Sequence, residues 1–127
     1  MKIVIILLML NVINDAYAGC STSQKTEDLY TRKYAHHIEI SKHAEQGIFD
    51  FKITVPKAIE NEELVGIAVT REAKTTFTFP LALFEEERSF TAWFSVDSSL
   101  LENTDLKSVY GDDCGFTISI KLTNIDN

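Results

Sequence analysis

Phe49-Asp50-Phe51-Lys52-Ile53-Thr54-Val55-Pro56 is the stretch that decides the fold. Phe49, Phe51, Ile53 and Val55 occupy every second position, with Asp50, Lys52 and Thr54 between them. Successive side chains of an extended chain point to opposite faces. This spacing therefore predicts a strand with one face in a core and the other in water. The same period recurs in residues 65–69, 77–83, 90–96 and 116–122. It is weaker in residues 34–40, where His36, Ile38 and Ile40 would share a face. Short polar runs such as Ala44-Glu45-Gln46-Gly47, Glu85-Glu86-Glu87-Arg88 and Gly111-Asp112-Asp113 supply the turns. Residues 59–64 are too few for a helix that matters, and residues 99–110 place Leu100, Leu101 and Leu106 at poor helical spacing. The expectation is an all-β fold, an antiparallel β-sandwich of six or seven strands. Pro80 lacks an N–H, which assigns residues 77–84 to a sheet edge.

The 127 residues suffice for about one domain. Apolar residues make up 45% and charged residues 24%, a balance that excludes wholesale disorder. The formal net charge of -7 repels phosphate backbones, so nucleic acid is not expected as a partner. Size and strand number suit an immunoglobulin domain, but the marks of that family are missing. Cys20 lies too early, Trp93 comes late, and Tyr110 is four residues before Cys114, where the tyrosine corner requires two. The fold is expected to be immunoglobulin-like in architecture only.

Lys2 precedes the apolar run 3–10, and Ala16-Tyr17-Ala18 ends the segment, the pattern of a secretory signal peptide. Cleavage between Ala18 and Gly19 is expected. The chain then divides into a leader (1–18), a polar lead-in (19–33) and the sandwich (34–127). No segment reaches the roughly 20 apolar residues of a spanning helix. Losing Lys2 and Asp15 with the leader keeps the net charge at -7. Outside the reducing cytosol, Cys20 and Cys114 are expected to pair, closing nearly the whole mature chain. Tyr17-Ala18-Gly19-Cys20 also resembles a bacterial lipobox. That resemblance implies instead an acylated Cys20 at the mature N-terminus, membrane anchoring, and a free Cys114.

No Gly-x-Ser-x-Gly, glycine-rich phosphate loop or Cys-x-x-Cys occurs in the sequence, so no cofactor is implied and a non-enzymatic role is expected. His37 and Glu39 would share one side of a strand, a weak metal pair that lacks a third ligand. Glu85, Glu86 and Glu87 offer charge to a cation or a basic partner, or are simply solvated. Trp93 interrupts the polar side of its strand and Tyr110 falls in an expected loop; both residue types anchor protein interfaces. The leading expectation is an exported, secreted or periplasmic protein-binding module with another protein, preferably a basic one, as partner. One form would be an inhibitor or immunity protein for a basic secreted enzyme; the alternative is a small accessory subunit or lipoprotein of a bacterial envelope assembly. Intact mass of the natively exported protein distinguishes these. A chain starting at Gly19 and lighter by two hydrogens is expected, whereas an acyl mass on Cys20 selects the lipoprotein.

Overall fold

A computed structural model describes residues 23–72, 74–112 and 115–126. Among these the chain runs α1 (Gln24–Tyr34), a 3-10 turn (Ala35–His37), β1 (Glu39–Glu45), β2 (Ile48–Pro56) and β3 (Ala58–Ile59). It continues with β4 (Glu62–Arg71), β5 (Phe77–Pro80), β6 (Phe84–Glu85), β7 (Ser89–Asp97), and a 3-10 turn (Ser98–Leu100). β8 (Thr104–Tyr110), β9 (Phe116–Lys121) and a last 3-10 turn (Leu122–Asn124) follow. Sheet I has the order β1-β2-β7-β6; sheet II has the order β3-β4-β8-β9, with β5 also pairing β4. The pairings are antiparallel. Lettered along the chain with β3 and β5 set aside, sheet I reads A-B-E-D and sheet II C-F-G. That is the strand order of an immunoglobulin constant-type sandwich. The molecule is the expected all-β sandwich.

Phe51, Ile53, Val55 and Ala92 of sheet I are buried, as are Ile67, Val69, Leu106, Tyr110 and Ile118 of sheet II. Removing these faces from water is the main favourable term of folding. Tyr110 Oη donates to the Pro56 carbonyl at 2.9 Å, tying the end of β8 in sheet II to the end of β2 in sheet I. Burial drives its phenol far above the usual range. Gln46 and Gly47 both have positive φ, 50° and 79°, which matches the two-residue turn preferred between twisted antiparallel strands. Gly111 has φ 84°, and a Cβ there would come within 2.6 Å of Glu62 Oε2.

One flank of the sandwich is sealed. α1 starts at an N-cap, Ser23, whose side chain accepts from the Thr26 N–H. Glu27 in the first turn and Arg32 and Lys33 in the last suit the helix dipole. The helix lies along edge strand β9. Thr31 Oγ1 accepts the Ser119 backbone N–H at 2.9 Å, Glu27 meets Lys107 at 3.1 Å, and the Tyr34 and Phe116 rings stack at 4.9 Å. Covering an edge strand in this way removes a template for unwanted pairing.

Several expectations need correction. Residues 24–33, read as part of a lead-in, form with Tyr34 a helix packed on the sandwich. Residues 34–40 are not one strand: Tyr34 closes α1, His36 and His37 form the turn, and β1 starts only at Glu39. Residues 104–110, where no alternation is read and Tyr110 is expected in a loop, form the interior strand β8. Residues 77–84 are not one strand either. β5 pairs with β4 in sheet II, Leu81 donates its N–H to Ile67 O, and β6 pairs with β7 in sheet I. Pro80 does end an edge strand. Val65 is the extra residue of a bulge between Leu64 and Gly66, and it points to solvent rather than the core. Tyr110→Phe is expected to lower stability by about 1–2 kcal/mol through the lost inter-sheet hydrogen bond. Urea unfolding with an unchanged m-value checks this.

Candidate functional site

The register of sheet I assembles its outer face in rows. Ser41, Lys52 and Trp93 lie side by side, as do His43, Asp50 and Ser95 in the next row. In a half-buried antiparallel sheet this face should be small and polar. Trp93 departs from this, with 56% of its surface exposed, as does Ile48 at the end of β2, 46% exposed. Phe84, 57% exposed, meets Trp93 edge to face with centroids 5.2 Å apart. Beside Trp93 a shallow hollow of about 470 Å³ includes Ser41, His43, Asp50, Lys52 and Ser95 in its lining. Asp50 accepts from the Ser95 hydroxyl, which leaves Lys52 as the cation next to the indole. An aromatic pair, an ammonium group and a concave polar floor can bind a surface loop or strand of another protein, with the rings supplying most of the affinity.

The second feature lies on the flank opposite α1. β7 runs from Ser89 to Asp97, but β6 covers only Phe90 and Thr91. From Ala92 to Asp97, β7 has β2 on one side and no strand on the other among the described residues. Behind this edge, between the sheets, is a mainly apolar cleft of about 250 Å³. Val69, Arg71 and Phe79 of sheet II line it with Phe94 and Val96 of sheet I. Phe77 and Phe79 pair with Arg71 and Val69, so they turn towards the sheet interior, yet they are 48% and 53% exposed. Arg71 Nε is buried and has no hydrogen-bond partner among the described residues. Asp97, also in the lining, is engaged by the Ser99 N–H and hydroxyl, which hold its carboxyl below the usual range.

The other residues singled out in the sequence are dispersed. Glu85 pairs with Lys57 at 2.7 Å, which holds its carboxyl below the ordinary range. Glu86 accepts from Thr91 and Ser89, while Glu87 is exposed. Two of the three glutamates thus serve the fold around β6. Tyr110 is not available to a partner: it is 0% exposed within β8. His37 and Glu39 are both exposed, and the His37 ring lies beside His36 and Tyr34. No group of three His, Cys, Asp or Glu able to hold a metal forms among the described residues. Ala18, Gly19, Cys20 and Cys114 lie outside the described residues. No described helix is long and apolar enough to cross a membrane.

Sequence reasoning missed Arg71, Phe79 and the cleft. The only signal was an apolar alternation running across Pro80, which hid a switch between sheets. Neither a protein-family model nor a curated protein sequence matches this chain. Trp93 is the sole tryptophan. Its fluorescence is expected to be that of a water-exposed indole and strongly quenched by acrylamide; a blue, protected emission would contradict the geometry.

Proposed function

We propose that this protein is an exported, non-enzymatic module that binds another protein through the outer face of sheet I. The observation that supports this reading is the pair Trp93 and Phe84, more than half exposed on a face whose neighbouring rows, Ser41-Lys52 and His43-Asp50-Ser95, are polar. Trp93 protrudes beside Lys52 and needs little reordering on contact, because a ring with two rotatable bonds is a low-entropy anchor. Burying both rings would supply a hot spot at the centre of an interface, with Ser41, His43, Asp50 and Ser95 as polar rim. The net charge of -7 works at longer range, raising the encounter rate of a basic partner.

An inhibitor or immunity protein remains the form of this reading that uses both features, with contact through the aromatics and steering through the acidic surface. Wild-type protein and the Trp93→Ala variant, each immobilised and exposed to extract of the source cell, test it. A specific partner is expected to bind wild type and to lose at least tenfold affinity for the variant, about 1.4 kcal/mol or more. Its association rate should fall as salt rises, while thermal stability stays within about 0.5 kcal/mol because Trp93 contributes little to the core. Equal binding to both proteins would overturn the reading.

A further inference from the structure

We propose that the uncovered edge of β7 and the cleft behind it accept an extended strand from the partner protein, with an acidic side chain of that strand reaching Arg71. This rests on the reading above and specifies its mode of recognition. Upstream of Phe84 the chain lies in sheet II, so among the described residues no strand occupies the position opposite Trp93 that a full-length β6 would fill. An antiparallel edge presents alternate N–H and C=O groups at a fixed spacing, and a strand laid along Ala92–Asp97 would pair with them. Its side chains would alternate. One set would enter the cleft over Phe94 and Val96, against Val69 and Phe79; the other would lie over Trp93 and Ser95.

The charge of the guest follows from Arg71. A guanidinium carries five N–H donors, no acceptor, and a permanent positive charge. Arg71 makes no ion pair among the described residues, and its Nε lacks a partner inside a largely apolar cleft. The nearby Asp97 is already held by Ser99. A carboxylate delivered by the guest would pair the buried donor and neutralise the charge. A second copy of this chain fits less well. Edge-to-edge pairing of two β7 strands would bring only Asp97 as a carboxylate and would bring together two chains of charge -7. The guest is therefore an apolar-alternating strand of another protein that contains Asp or Glu.

Linear twelve-residue peptides displayed on phage and selected against the full mature protein test this. The selected peptides are expected to alternate apolar residues around an Asp or Glu and to bind as synthetic peptides. They should slow amide exchange between Ala92 and Asp97. Affinity should fall at least tenfold for Arg71→Met, and for Phe79→Ala, whose exposed side chain can be removed without loss of the fold. Peptides with no acidic residue, or equal binding to both variants, would overturn the proposal. So would concentration-dependent self-association that Arg71→Met abolishes, since the guest would then be a second copy. If cellular partner binding depends on Trp93 but not on Arg71 or Phe79, strand addition fails while the module reading stands. Dependence on none of the three removes both.

Discussion

Leu81, Ala82 and Leu83 have to carry the chain from one sheet to the other. Packed sheets lie about 10 Å apart, and an extended residue advances about 3.3 Å, so three residues are just enough for the crossing. A residue engaged in crossing cannot also pair with β7. β6 is therefore reduced to Phe84 and Glu85, and the ladder stops at Thr91. Three features come from this one constraint: a strand edge with no partner among the described residues, inward-facing phenylalanines that stay half exposed, and a tryptophan flanked by Lys52 on one side and only the end of β6 on the other. A longer connection would leave enough chain to complete β6, and the surface would be closed.

The opposite flank shows the same fold with its edge covered. Phe116 stacks on Tyr34, Tyr30 and Tyr110, with centroids 4.9, 5.2 and 5.5 Å away, so the helix, the last strand and the sandwich interior share one aromatic cluster. Lys42 reaches from β1 to the Ile125 carbonyl and fastens the C-terminal end to sheet I. Stability is thus concentrated on the flank with α1, β1 and β9. On the flank with β5 and β7, the edge of β7 from Ala92 to Asp97 has no strand partner among the described residues. A binding surface on the second flank can change without loosening the first, because the two have separate packing.

What was legible in the sequence follows from how strictly each element keeps its period. β2, β7 and β9 carry large apolar residues at alternate positions and are read directly. β8 is equally central, but its inward positions are Thr104, Leu106, Ser108 and Tyr110. Two hydroxyl residues in a buried row erase the alternation. Thr104 is accommodated because its hydroxyl donates to the Leu100 carbonyl, whereas Ser108 Oγ has no partner among the described residues. Of its apolar side chains α1 turns only Tyr30 and Tyr34 towards the sandwich while Leu29 faces solvent, so its apolar stripe is too narrow to register. Ser23 and the charge order along the helix were the signals that could have revealed it. Trp93 was legible as an anomaly on a polar face. The cleft was not, because it depends on which sheet each half of residues 77–85 joins, and spacing within a strand carries no such information.

Amide hydrogen exchange along β7 of the free protein tests the central claim most directly. In an antiparallel strand successive amides point to opposite neighbours. Between Ala92 and Asp97 every second amide should be protected by β2, and those between them should exchange nearly as fast as in an unstructured chain. Uniform protection across all of these positions would mean that the edge is already occupied, and would contradict the account.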